Sequence, residues 1–292
     1  MARVYPRLSI EEFGTHLLDT GDLDPVYVAL NGPDGVDWGI ERKGRFLVAY
    51  WCLYHCGAAA YLSDFQGLQF WDGLLKAARN DALAPTGERW PRGHERRHWR
   101  GQQAIASCIE LTRQYPYPEQ MVVTLRAAGH EYAAVSAKAQ EHRGFGPWIA
   151  FKICDMLDRC LDHRVNFATE AAFNGIFKDP WEAAIQLWRV KALGVDRLSP
   201  MRPKVEAVAV AQVVEYLTRH FQDHAAPPRA DRPVGVQEVE TILCKWKSHM
   251  NGHYPLYNDI NEIHDGLLAW STTSKAVCEF QAAMPPRQGG PA

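Results

Sequence analysis

Between residues 46 and 62 the chain is apolar at almost every position. That is the pattern of a helix buried on all sides, which requires a fold in which other helices wrap it. His55 and Gly57 interrupt the stretch, which is too short and too polar for a membrane span. A core helix running on to Phe65, with Asp64 at its polar end, is the consistent reading. Helical periodicity recurs at 71–80, on a face formed by Ile105, Cys108, Ile109 and Thr112, and at 119–128, 131–141, 181–193, 204–221 and 236–250. From Trp148 onward, Ile149, Ile153, Met156, Leu157, Cys160 and Leu161 form a stripe opposite Lys152, Asp155, Arg159 and Asp162, the clearest amphipathic helix in the chain. The short apolar run 26–30 reads as a strand or an irregular lead-in. With no internal repeat and no sustained strand alternation, the expected class is all-α.

Composition narrows the function classes. A chain of 292 residues with 47% apolar and 23% charged side chains can bury a full core. We expect one helical catalytic domain over 1–284, in one piece or as two packed lobes with the cleft between them, and a disordered tail at 285–292. A net charge of -2 gives no global attraction to polyanions, so any nucleic-acid contact must come from a local basic patch. The seven cysteines form no C-x-x-C pair, which points to reduced thiols in a cytoplasm. Residues 1–20 carry Glu11, Glu12 and Asp19 without an apolar run, unlike a signal peptide.

Residues 89–100, Arg-Trp-Pro-Arg-Gly-His-Glu-Arg-Arg-His-Trp-Arg, hold five arginines, two histidines and a single acid. Forked guanidinium groups suit bidentate contacts to phosphate oxygens. A solvated charged face would also fit the composition, but the interleaved Trp90, Trp99, His94 and His98 favour a site. A second signal is Arg143-Gly-Phe-Gly-Pro-Trp148 between two helical patterns, where Gly144 and Gly146 permit torsions and close approach that other residues resist. Exposed N–H groups there could hold a DNA phosphate, or the segment is an ordinary turn between helices. Cys52, His55 and Cys56 lie within about one helical turn, but no second pair with zinc-ligand spacing accompanies them, so no metal site is expected. Neither a P-loop nor a dinucleotide-binding glycine motif is present.

Gly144-Phe-Gly-Pro-Trp-Ile-Ala150 resembles the hairpin of the helix-hairpin-helix DNA glycosylases, although the aspartate of that superfamily is missing and Glu170 stands only near its register. A wider resemblance rests on Tyr54-His-Cys-Gly-Ala-Ala-Ala-Tyr-Leu-Ser-Asp64, Pro91-Arg-Gly-His-Glu-Arg-Arg-His-Trp-Arg-Gly101, and Cys244-Lys-Trp-Lys-Ser-His249 with Gly252-His-Tyr-Pro255. These segments are similar to the phage amino acid:DNA transferases, a family related to the glycosylase fold. The resemblance implies a helix-hairpin-helix glycosylase-like scaffold acting in the host cytoplasm. The implied reaction takes 5-pyrophosphoryloxymethyluracil in double-stranded DNA and lets an amino acid or polyamine displace its pyrophosphate.

For that chemistry Arg92, Arg96, Arg97, His98 and Arg100 are the candidate pyrophosphate ligands, converging on one cavity. Glu95, His55, Asp64 and Glu170 are candidates for the base that deprotonates the incoming ammonium. Gly144, Gly146, Trp148, Lys152, Lys245 and Lys247 are candidate DNA contacts, and Asp259 and Glu262 candidate holders of the amine. The target base must leave the helix stack, with Trp99, Trp148 or Tyr254 available to stack on it. No cofactor is required, and a divalent ion accompanying pyrophosphate is compatible with the chemistry. A DNA glycosylase and a non-catalytic helical DNA-binding module are the rival readings.

Overall fold

The computed structural model describes residues 5–167, 178–194 and 201–288. Every regular element among them is helical, and the sole strand-like contacts there are isolated bridges such as Leu83 with Arg89. In chain order the α-helices are α1 (Ile10–Thr20), α2 (Pro25–Asn31), α3 (Ile40–Leu53), α4 (Cys56–Ser63), α5 (Gly67–Arg79), α6 (Gln102–Gln114), α7 (Glu119–Arg126) and α8 (Tyr132–Gln140). They continue with α9 (Pro147–Leu161), α10 (Lys178–Leu193), α11 (Pro203–His220), α12 (Val236–Met250), α13 (Asn258–Leu268) and α14 (Lys275–Ala282). No described helix is long and apolar enough to cross a membrane.

The chain forms two compact units, Met1–Pro25 with Phe167–Asp259, and Val26–Asn166 with Ile260–Ala292. The first is built on α1, α10, α11 and α12. Ser9 starts α1 with a capping box, its hydroxyl taking the Glu12 N–H while the Glu12 carboxylate takes the Ser9 N–H. Phe13, Leu17, Leu217, Phe221, Val239, Ile242 and Leu243 fill the core of this unit. At roughly 1.5–3 kcal/mol for each large apolar side chain removed from water, such a cluster suffices to hold the four helices together.

The second unit is wrapped around α3 and α9. Phe46 through Leu53 are all buried, as their apolar run requires, and the Trp51 indole N–H meets the Met156 sulfur at 3.3 Å to join the two helices. Four local expectations are corrected here. Residues 26–30 belong to helix α2 rather than a strand. The run 46–65 is two helices rather than one: Tyr54 closes α3 in the left-handed region at φ 51°, and His55 restarts the chain as the cap of α4. Apolar residues on both sides of the break hide it from any periodicity count. Helix α9, read as amphipathic, is buried all round from Ile149 to Leu161, with Lys152, Asp155, Asp158 and Arg159 among the buried positions. Part of its polar face is satisfied internally, since the Tyr27 hydroxyl donates to Asp155 at 2.7 Å. On α6 the packed face is Ala104, Ser107, Cys108 and Leu111, while Ile109 is exposed.

Candidate active site

The second unit gathers three segments that are distant in sequence. The first is the break between α3 and α4. Its geometry makes His55 the N-cap of α4, its Nδ1 accepting the Ala58 N–H at 3.2 Å. An imidazole that accepts at Nδ1 carries its proton on Nε2, and burial pushes its pKa down to about 4, so the ring is neutral near pH 7. Asp64, at the other end of α4, is ion-paired with Arg42, which also bonds Glu279 at 3.2 Å.

The second is the basic segment, which closes on itself beside that break. Gly93 donates its N–H to the Leu53 carbonyl at 2.9 Å, and any Cβ at Gly93 would collide with the Tyr54 carbonyl oxygen. A side chain is therefore excluded there by contact. Arg92 spends its guanidinium on the Trp99 carbonyl at 2.8 Å, the Trp90 carbonyl at 3.1 Å, the Asn80 side chain at 3.3 Å and the Ala77 carbonyl. It thereby ties both ends of the loop to the C-terminus of α5, where carbonyls lack helical partners. A 3-10 turn, His94–Arg96, then reverses the chain.

Arg96 is buried, 9% exposed. Its Nε donates to the Cys52 carbonyl at 3.3 Å and its Nη1 to the Gly144 carbonyl at 3.0 Å, with the guanidinium carbon 5.4 Å from the Phe145 ring centre. Its Nη2 is buried with no hydrogen-bond partner among the described residues, as is the Trp99 indole N–H. Burial lowers its pKa, but a guanidinium stays protonated at any physiological pH.

The third is the hairpin between α8 and α9. Gly144 adopts φ +79°, in the left-handed region that side chains resist, and this presents its carbonyl to Arg96. Gly146 is extended instead, with φ -81° and ψ -177°, and precedes Pro147 at the start of α9. Ser107 pins the hairpin from α6 by donating to the Arg143 carbonyl at 2.7 Å. Trp148 is half-buried and edge-on to Tyr54 at 5.1 Å between ring centres. An open hollow of about 630 Å³ lies beside the hairpin, lined by Gln103, Glu110, Arg143, Gly144 and Gly146 among others.

The arginines thus do not all converge on a single cavity, as the sequence suggested. Arg92 and Arg96 turn inward to backbone carbonyls, while Arg97, His98 and Arg100 stay exposed with Glu95 as the lone acid of the segment. Arg97 folds onto His94, 3.0 Å from both its ring and its carbonyl. Glu95, His98 and Arg100 have no ion pair among the described residues.

Residues 19–253 match the amino acid:DNA transferases. The chain is 48% identical to a glycinyltransferase of Pseudomonas phage PaMx11, over 98% of this chain and 99% of the relative. It is 25% identical to a putrescinyltransferase of Delftia phage PhiW-14, over 91% of this chain and 80% of the relative. The chain belongs to the amino acid:DNA transferase family. It is an enzyme, a transferase of DNA modification with phage relatives.

The other candidate residues of this transferase are placed less openly. Lys152 is buried within α9. Lys245, in the first unit, donates to the Asp22 and Leu23 carbonyls at 2.7 and 2.6 Å and pairs with Asp259 at 2.7 Å. Burial works to lower its pKa, but Asp259, Asp22 and Asp24 outweigh it and hold the ammonium above its ordinary value. A lysine and a proposed amine holder, Asp259, therefore occupy each other. Tyr254 is buried beside them. Lys247 is neutralised by Asp179, at 2.8 Å, and by Glu182. Glu262 is exposed on α13, and Glu170 lies outside the described residues. Of Cys52, His55 and Cys56, the Cys52 thiol is pushed up to about 12 by burial, and no metal-binding group of three or more His, Cys, Asp or Glu occurs among the described residues.

Sequence reading missed the helix break at Tyr54, the hold of Ser107 on the hairpin and the inward role of Arg92. The signals were faint: one tyrosine in an apolar run, and one small residue on a helix face.

Proposed function

We propose that this transferase joins glycine to 5-pyrophosphoryloxymethyluracil in double-stranded DNA within the infected host cell, releasing pyrophosphate. The observation that carries the reading is the meeting of three distant motifs, the α3–α4 break, the basic segment and the hairpin, around the Arg96 guanidinium. Glycine is chosen as donor because the 48% identical relative, matched almost end to end, is named a glycinyltransferase.

In this reaction the amine nitrogen of glycine forms a bond to the exocyclic methylene carbon. The carbon–oxygen bond to pyrophosphate breaks, its electron pair leaves with the pyrophosphate, and the ammonium proton passes to a base. Charge grows on the departing phosphate oxygens, and exposed Arg97, His98 and Arg100 are the groups suited to stabilise it. Glu95 is the candidate base with the most freedom, since His55 Nδ1 holds a helix N–H and Asp64 holds Arg42. The hairpin with Gly144, Gly146 and Trp148 is assigned to the DNA, and Glu262 to the donor ammonium. The displacement is redox-neutral and calls for no redox cofactor. A divalent ion would act on pyrophosphate oxygens, which a chelator added to the assay tests.

The assay is incubation of the protein with duplex DNA carrying the activated base, with glycine or putrescine, followed by pyrophosphate measurement and nucleoside mass analysis. Glycine-dependent pyrophosphate release with a glycine adduct is expected. An abasic site would make the protein a glycosylase, and binding with neither product would make it a DNA-binding module.

A further inference from the structure

We infer that Arg96 is a positioning residue that locks the hairpin against the basic segment, so that DNA held by the one is presented in fixed register to the exposed cations of the other. The inference rests on the reading of the hairpin as the DNA contact. Its ground is geometry. A single planar group spans the last turn of α3, through Cys52, and the hairpin, through Gly144, while its own backbone belongs to the basic segment. The planar fork of a guanidinium reaches two separated carbonyls from two different nitrogens; an ammonium carries its three donors on one nitrogen and cannot reproduce that span. The acceptors are carbonyls rather than a carboxylate, so the group keeps its full charge within the protein and gains its hold from directed hydrogen bonds. The hairpin offers it a carbonyl because Gly144 is left-handed, and Ser107 grips the neighbouring carbonyl of Arg143 independently. Arg96 itself is shielded from solvent, unlike Arg97 and Arg100 in the same segment. A residue so placed sets where phosphate-binding groups stand without itself touching a phosphate.

The test is the salt dependence of binding to duplex DNA carrying the activated base, with no amine present so that no turnover occurs. A residue that contacts phosphate contributes about 0.9 to the slope of log affinity against log salt, and its removal takes that contribution away. Arg96→Lys is expected to weaken binding about tenfold, in line with loss of one charge-assisted hydrogen bond, with the parental slope. Ser107→Ala, which loosens the same hairpin from α6, is expected to weaken binding by a smaller factor, again at the parental slope. Arg100→Ala is expected to lower the slope. A lowered slope for Arg96→Gln, which removes the charge that Arg96→Lys keeps, would make Arg96 a direct phosphate ligand and overturn the inference. So would parental affinity accompanied by a lower melting temperature, since that is a purely structural role. Gly146→Val is the control on the underlying reading: a Cβ there meets nothing within 4 Å, so the fold accommodates it and only an approaching ligand is crowded. Weakened binding by Gly146→Val with unchanged binding by Arg96→Lys removes the inference alone. Unchanged binding by Gly146→Val removes the hairpin as a DNA contact and takes the inference with it.

Discussion

Two basic regions of the molecule look alike in sequence and differ in structure: the segment 89–101 in the second unit and the lysines of α12 in the first. Lys245 and Lys247 are each answered by acids, Asp259 with Asp22 and Asp24 nearby for the one, and Asp179 with Glu182 for the other. In the basic segment the inward arginines are answered by neutral backbone carbonyls, and the outward ones have a single acid, Glu95, within the segment. Charge cancels in the first region and survives in the second. Local positive sequence therefore predicts a polyanion site only where no counter-ion arrives from elsewhere in the fold.

The largest expected effect tests whether Lys245 is structural. Lys245→Ala leaves partly buried Asp259 and the nearby buried Asp22 without their cation, and should cost about 3 kcal/mol of stability by the usual penalty for breaking a buried pair. Urea unfolding measures it; a loss below about 1 kcal/mol, with a weaker salt dependence of DNA binding, would return Lys245 to the DNA contacts.

A smaller effect probes the neutral histidine behind the basic segment. The folded pKa of His55 is about 4 against an ordinary 6.5, so the unfolded chain takes up the proton first as pH falls. The stability contributed by the neutral ring is complete above pH 6.5 and is lost as the pH drops toward 4, by roughly 1–2 kcal/mol after allowance for its partial exposure. His55→Asn keeps a cap acceptor and should flatten that part of the stability profile. An unaltered profile would place the titration elsewhere.

The smallest effect on stability sharpens the contrast most directly. Arg100→Ala should change stability by less than about 0.5 kcal/mol, as surface substitutions do, and Lys247→Ala, which breaks two partly exposed ion pairs, by about 1 kcal/mol. Only Arg100→Ala should lower the salt slope of DNA binding, by about 0.9. Equal slopes for the two variants would erase the distinction between the regions.

Much of the helical framework was legible in the sequence, because helix periodicity is a local property. The run 236–250 coincides with α12, and 204–221 differs from α11 by one residue at each end. The boundary at Tyr54 was not legible, since one left-handed residue leaves the apolar pattern unbroken. Nor was the burial of Lys152 and Arg159, which depends on what packs against α9.

For the site, the sequence by itself determined which segments stand out as candidates: the arginine-rich segment, the glycines of the hairpin and the motif at the α3–α4 break were all visible as strings. Only the tertiary structure decided which way each charge faces. Arg92 and Arg96 share residue type and segment with Arg97 and Arg100, yet the first two meet carbonyls contributed by α3, by α5 and the residue that caps it, by the hairpin and by the loop's own ends. The physical reason is range. Backbone periodicity is written within four residues, whereas the partner that neutralises or redirects a charge comes from tens to hundreds of residues away, as with Gly144 for Arg96 and Asp22 for Lys245.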